Sequence, residues 1–498
     1  MADEKTHEWI APPPGEFGGH PRGLWMLFGS EFWERFCYYG MRAILAVHVA
    51  QAFFAHHGDG AESEASLTYG GYTSMVYMTG LLGGYVADRI LGYQRSIMLG
   101  GSMMAAGMFM LLAPDLPSFL VGLALLVVGN GLFKPNISTM VGQLYAPGDS
   151  RRDSGFTIFY MGINAGALIA PLITSTWIGV TYGLKWGFFA AGIGMIFGLM
   201  VFQLLKSWIG HVGKPPKGKE GYASVGLVLV GGLVLAAPVY VLLSKSEILG
   251  YILGGLLLFL TGYFVRSGLK ASKVQLHRYL AMLILFIANA IFWALFEQAG
   301  SSLNFFARDF VDLTVAGYTV DFAAFQSANP TFILLLAPLF ALAWPALDKK
   351  KMNPSIPRKF AIALVLVALG FYVLVFSIGQ MRGEDGKIPA FMLALCYLIH
   401  TSGELCLSPI GLSMVTKLAK PEETGLAMGG WFLSIAGANY IAGLIASVAT
   451  GGGAHGAAAG SIEGYSTVFN QLFIMGLVLS IVFFIAAPFI NKLMHGVK

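Results

Sequence analysis

The chain has 498 residues, 56% of them hydrophobic and only 11% charged, with a formal net charge of +5. Soluble domains are nearer a quarter charged, so this composition excludes an ordinary water-soluble enzyme or binding module. The positive balance does not indicate nucleic acid either, because the basic residues lie in short connections between apolar runs.

The first 23 residues, which include "APPPGEFGGHPRG", read as a polar tail. They lack the basic stretch, short apolar core and small-residue site of a cleaved signal. Apolar runs follow to the C-terminus. A spanning helix needs about 20 apolar residues, because each backbone polar group must be bonded within the segment. On that basis fourteen spans are predicted, over 24–55, 66–87, 95–113, 118–145, 154–178, 184–207, 222–243, 247–266, 278–306, 320–346, 358–379, 388–416, 421–449 and 464–491. Cys37, Cys396 and Cys406 all fall inside these spans and imply no disulfide framework.

The seventh and eighth spans, "ASVGLVLVGGLVLAAPVYVLL" and "ILGYILGGLLLFLTGYF", carry no internal charge and read as lipid-facing. The loop "KSWIGHVGKPPKGKEGY" precedes them. Setting them aside leaves six spans and then six, the layout of two transporter halves around a central cavity. The expected fold is an all-α polytopic membrane protein. It comprises a tail (1–23), an N-terminal six-helix bundle (24–210), a loop with two additional helices (211–275) and a C-terminal six-helix bundle (276–498). An even span count puts both termini on one side. Most of the Lys and Arg fall there, against Lys185, Lys245, Arg308, Arg382 and Lys387 opposite, so both termini are expected in the cytoplasm.

Charges inside the spans are the functional signal. The first span holds Glu31, Glu34, Arg35 and Arg42. A charge at a helix centre costs about 2.5–3.5 kcal/mol, so four unpaired charges in lipid would cancel much of what the apolar residues gain. They must face protein or a wet cavity. Glu31, Arg35, Tyr38 and Arg42 are spaced by four, three and four residues, which places them on one helical stripe. Lys134, Glu297 and Glu404 lie in the fourth, ninth and twelfth spans. Four acids therefore stand against three bases, and a carboxylate without a permanent partner in low dielectric is suited to carry a proton. Static ion pairs that merely hold helices together are the competing reading. Tyr38, Tyr39, Tyr77, Trp293, Trp431, Asn130, Asn164 and Asn329 lie within spans too, and as a set they suggest a polar cavity with aromatic walls.

With these residues in view, the sequence resembles the proton-dependent oligopeptide transporter (POT) family of the major facilitator superfamily. Glu31-x-x-Glu34-Arg35-Phe36-x-Tyr38-Tyr39-Gly40 is similar to the family's most specific motif. "GYVADRILGYQR", with Asp88 and Arg89, is similar to the superfamily's cytoplasmic gate motif. "GNGLFKPNIS", "FYMGINAGAL", "FWALFEQ", "ANPTFI" and "GELCLSPIGLS" match further family signatures.

The resemblance implies a proton-coupled symporter that imports di- and tripeptides by alternating access. Arg42 would meet the peptide carboxylate, and Glu404 the amino group, with Lys134 as its partner in the empty cavity. Glu297 would bind the proton and pair with Arg42 when ionised. Glu31, Glu34 and Arg35 would couple proton to peptide, with Lys134 as counter-ion. Tyr38, Tyr39, Tyr77, Asn164 and Asn329 would touch the peptide backbone, while Trp293 and Trp431 would shape side-chain pockets. No cofactor or metal is implied, only the proton motive force, and a monomer in a bacterial inner membrane is expected. Some relatives carry a histidine in the second span; here there is none, so carboxylates must hold the proton. His48 and His400 read as packed or hydrogen-bonded histidines. Transport of another small solute within the same family, or a channel, stands as the alternative. An enzyme does not, since no HExxH, GxSxG or phosphate-cradling loop is present.

Overall fold

The computed structural model describes residues 10–315, 317–451 and 460–497. The tail residues 1–9, with Lys5, and the terminal Lys498, both among the basic residues expected on the cytoplasmic side, lie outside the described residues. Fourteen long helices correspond one to one with the predicted spans: α1 (Arg22–Phe53), α2 (Ala61–Val86), α3 (Tyr93–Met110), α4 (Leu116–Gln143), α5 (Arg151–Tyr182), α6 (Lys185–Leu204), α7 (Ala223–Ser244), α8 (Ser246–Ala271), α9 (Lys273–Phe310), α10 (Phe322–Lys349), α11 (Ile356–Gln380), α12 (Ala390–Leu418), α13 (Pro421–Thr450) and α14 (Ile462–Leu493).

Eleven of the described helices, α4 to α14, are long and apolar enough to cross a bilayer. The first three fall short for reasons visible in their residues. Helix α1 carries Glu31, Glu34, Arg35 and Arg42 in its interior, α2 is rich in Tyr, Gly, Ser and Thr, and α3 has only eighteen residues, with Gln94 and Arg95 in its first turn. These helices are held by protein more than by lipid, as the burial of Glu31, Glu34 and Arg35 shows.

Local chemistry sets the helix ends. Asp115 accepts from the Ser118 backbone N–H at 2.8 Å with Pro117 in the first turn, so α4 begins there. Ser272 and Ser461 cap α9 and α14 in the same way. Gly92, at φ +72°, ends the turn after α2, and a Cβ there would lie 2.6 Å from the backbone of Lys214 and Pro215. Only glycine combines that backbone conformation with so close an approach.

Helices α1 to α6 pack into one bundle and α9 to α14 into a second. Helix α7 leans on α4 of the first bundle, and α8 on α9 and α13 of the second. Both expose most of their surface, as lipid-facing helices should. The face that carries the chain ends is tied together by Arg151 with Glu16 at 2.8 Å, and by His211 with the Ile10 carbonyl at 3.2 Å. At the opposite face the bundles meet. The α2–α13 crossing is so tight that a Cβ on Gly70 would lie 2.7 Å from the Gly443 Cα, and Ser63 Oγ meets Ser447 Oγ at 2.6 Å. Arg308 bonds Glu62 there, and Ser327 Oγ donates to the Leu168 carbonyl at 2.7 Å, joining α10 to α5.

Candidate functional site

Helix α1 turns its charged stripe inward. The Arg35 guanidinium grips Glu34 with two nitrogens: Nε is bonded to Oε2, and Nη2 lies 2.6 Å from Oε1. Glu31 Oε1 stands 3.3 Å from Arg35 Nε. Asn130 of α4 donates to Glu34 Oε1 at 3.1 Å. All three charged groups are at most 2% exposed. One oxygen, Glu31 Oε2, is buried with no hydrogen-bond partner among the described residues. The guanidinium also lies over Tyr38 (5.1 Å) and Tyr39 (5.9 Å). This is a compact unit inside the first bundle.

Two turns further along α1, Arg42 does something different. Its Nη2 is ion-paired with Glu297 Oε2, on α9 of the other bundle, and its Nε donates to the Tyr69 hydroxyl of α2 at 2.5 Å. Glu297 reaches this position because α9 breaks at a short tight turn, Glu297–Gly300, before continuing as Ser302–Phe310. The polar run Glu297-Gln298 and the small residues after it explain the break. Gln298 turns back to bond Ser302 Oγ (2.6 Å) and the Ala442 carbonyl (3.1 Å). Gly300 leaves the space that the Tyr69 ring occupies; a Cβ there would collide with the hydroxyl. A broken helix presenting a charge at mid-depth is the recurring device of transporter sites.

Among the described residues no cation lies within ion-pair distance of Glu404, on α12. Its Oε2 accepts from Asn329 Nδ2 of α10 at 2.8 Å, and the same amide reaches Thr401 at 3.0 Å. It interacts electrostatically with both Glu297 and Arg42. Lys134, on α4, lies 5.5 Å from the centre of the Tyr77 ring and interacts with Arg35, Glu34, Glu31 and Arg42, and with Glu297. Among the described residues no carboxylate lies within ion-pair distance of Lys134. The direct Lys134–Glu404 bond expected for an empty cavity is therefore replaced by Asn329 on the acid and by Tyr77 on the base. Pro135, next to Lys134, sits inside α4, where Asn136 Nδ2 bonds the Gly83 and Leu132 carbonyls (3.2 and 2.7 Å) and so stitches α2 to α4.

Tyr38 and Asn164 are buried, while Tyr39, Tyr77, Trp293 and Asn329 are half-buried. Asn164 Nδ2 donates to the Tyr160 carbonyl one turn back, at 2.9 Å. The Trp293 indole N–H is buried and has no partner among the described residues. Trp431 stands apart: it is 2% exposed and wedged among Phe286, Phe360 and Gly411, a core position rather than a pocket wall in this conformation. His400 turns away from Glu404 to the Val367 carbonyl (2.9 Å), and His48 packs among Phe53, Phe119 and Phe188. Asp88 and Arg89 lie at the chain-end face. Asp88 accepts from the Tyr93 hydroxyl and Arg89 is exposed. Among the described residues no three His, Cys, Asp or Glu side chains converge as a metal would require.

The sequence reading omits Tyr69 and Tyr160. Tyr69 was within reach, because Tyr69, Thr73 and Tyr77 recur every fourth residue and so share a face of α2. Tyr160, which interacts electrostatically with Glu404, carried no such signal. In chemical terms, the arrangement offers a guanidinium on one bundle, an unpaired carboxylate on the other, and a second carboxylate that occupies the guanidinium. It can hold a small zwitterion and exchange a proton.

The sequence model described as the POT family matches residues 94–462. The chain is 39% identical over 455 residues to the peptide transporter YePEPT of Yersinia enterocolitica, covering 86% of this chain and 88% of that one. It is 37% identical over 499 residues to the uncharacterized transporter YclF of Bacillus subtilis, covering 97% of each. Its fold matches a crystal structure of a peptide transporter POT in complex with sulfate, at a TM-score of 0.82 and 36% identity over 98% of both chains.

Proposed function

Since the chain belongs to the POT family, we propose that it is a proton-coupled symporter that imports di- and tripeptides by alternating access, with the chain-end face in the cytoplasm of a bacterial cell. The Arg42–Glu297 pair between the two bundles carries this reading, and the similarity to a named peptide transporter supports it.

A short peptide varies in its side chains and keeps one carboxylate, one ammonium and its amides. A guanidinium suits the carboxylate because it binds two oxygens at once. Arg42 takes that end, and Glu404, presented by Asn329, takes the ammonium. While Glu297 is ionised it occupies Arg42. A proton on Glu297 removes that competitor, so peptide and proton enter together. Proton and then peptide bind while the opposite face is open; binding at both ends draws the bundles together, re-forms the opposite-face contacts and opens the chain-end face, in the order proton, peptide, rocking. The driving force suffices. A proton crossing about 100 mV gains about 2.3 kcal/mol and each pH unit adds about 1.4 kcal/mol. With one pH unit the two support a gradient of roughly several hundred-fold.

The deciding experiment is uptake of a labelled dipeptide into proteoliposomes under an imposed pH gradient, with unlabelled peptides as competitors. Uphill, saturable uptake blocked by di- and tripeptides is the expected result. Uptake that ignores the pH gradient, or that amino acids block as well as peptides do, would overturn the proposal.

A further inference from the structure

Away from the central site, a second cavity of about 270 Å³ lies where α2, α4 and the α7–α8 hairpin meet at the opposite face. Its depth in the membrane follows from its walls, which are helix ends. Leu116 and Pro117 begin α4, Ser244 ends α7 and Ser246 begins α8. It is therefore at the level of lipid headgroups, on a flank whose two outer helices mostly face lipid. Buried Leu120 and Leu243 give it a largely apolar floor, to which buried Thr68 adds one hydroxyl, and the more exposed Glu64, Tyr240, Ser244 and Ser246 give it a polar rim. The Thr68 and Ser244 hydroxyls donate back to their own helices, at 3.1 and 2.9 Å, and so offer lone pairs outward. Among the described residues the Glu64 carboxylate, the Tyr240 hydroxyl and the Ser246 hydroxyl have no bonding partner.

We propose that this cavity holds one phospholipid of the surrounding bilayer, and that its rim selects an ethanolamine headgroup. Glu64 and the hydroxyl oxygens form a set of acceptors around one negative charge, which a primary ammonium matches with three N–H donors. A choline headgroup has no N–H to give, and a glycerol headgroup leaves the lipid anionic against Glu64. Lys245, exposed in the one-residue turn between Ser244 and Ser246, is the basic residue nearest in sequence to this rim and suits the phosphate. The apolar floor accepts part of an acyl chain.

Native mass spectrometry of the full chain, delipidated and then exposed to phosphatidylethanolamine, phosphatidylcholine or phosphatidylglycerol with identical acyl chains, tests the assignment. A charge-assisted contact of this kind predicts about a tenfold preference for the ethanolamine lipid in the most tightly held adduct. Glu64→Gln should erase the preference while lipids still bind, and Leu120→Trp, which fills the floor, should remove that adduct for every headgroup. Equal retention of the three lipids by the unaltered protein, or an undiminished preference in Glu64→Gln, would sink the proposal. Glu64→Gln replaces one exposed carboxylate by an amide of the same shape, so its outcome does not depend on whether the tryptophan variant folds.

Discussion

Arg35 and Arg42 lie seven residues apart inside helix α1, and their surroundings differ in kind. Arg35 is satisfied within its own bundle by Glu34, Glu31 and two aromatic faces, and is sealed from solvent. Arg42 is satisfied by one carboxylate from the other bundle and one tyrosine, and its side chain keeps 12% exposure. A bond within a rigid bundle survives any motion of that bundle. A bond between bundles must break or be exchanged when they rock. We infer that the same residue type serves as structure at position 35, where the family resemblance implies a coupling role, and as a switch at position 42; what separates them is which body supplies the carboxylate.

The largest effect should come from the acid on the far side of that divide. Glu297→Gln keeps the shape and removes the titration. Proton-driven accumulation should fall from the several-hundred-fold range to no gradient, while peptide counterflow, which needs no net proton movement, persists. Uphill accumulation by this variant in proteoliposomes would make Glu297 a structural acid.

Glu34→Gln probes the sealed cluster. It leaves a buried guanidinium without its two-pronged partner, a loss of about 3–5 kcal/mol when one member of a buried pair is removed. The midpoint of thermal unfolding in detergent should drop steeply, and transport should fall in proportion to folded protein. Glu31→Gln, which disturbs a single 3.3 Å contact and an oxygen that already lacks a partner, should be milder. If Glu34→Gln were fully stable and selectively uncoupled, the cluster would be a switch as well.

Arg42→Ala should weaken peptides that carry a free C-terminus by about 100-fold and weaken C-terminally amidated ones far less, read as competition against a labelled dipeptide. Equal losses would remove the carboxylate assignment and leave the Arg42–Glu297 bond as an interbundle strut.

How much of this contrast was legible in the chain alone follows from distance along it. The α1 stripe repeats with the helix, so spacing placed Glu31, Arg35, Tyr38 and Arg42 on one side. The fourteen helices were readable because apolar length is a local property, and even α1 to α3, which are less apolar, stand between clear breaks at Phe54–Gly60 and Gly92. Partners between bundles are another matter. Arg42 and Glu297 are 255 residues apart, and no local pattern joins them, so that pairing rested on family resemblance. Trp431, read from its place in a span and from the resemblance as a pocket wall, is buried in this conformation against Phe286 and Phe360, since an indole in a span reads alike whether it lines a cavity or fills a core. The break at Glu297–Gly300 did leave a trace, a polar and small-residue run inside an apolar span, but only packing against Tyr69 gives that trace a meaning.

The smallest effect concerns the other bonds that cross the divide. If Arg42–Glu297 is a switch, something else must hold the opposite face shut while it exchanges partners, and the α2–α13 crossing is placed to do so. The Ser63–Ser447 hydroxyl pair is one hydrogen bond between bundles at that face, and a single neutral bond contributes about 1 kcal/mol. Ser63→Ala should therefore move the balance between closed and open opposite faces by about fivefold. Spin labels at Tyr182 and Tyr318, exposed on the first and second bundles at this face, would report it as a longer-distance population. The shift should be present at neutral pH and add to that of Glu297→Gln, since the two bonds share no atom and lie on different helices of each bundle. A distance distribution unchanged by Ser63→Ala would mean that the glycine contact of Gly70 with Gly443 closes this face on its own, by shape and without help from hydrogen bonding.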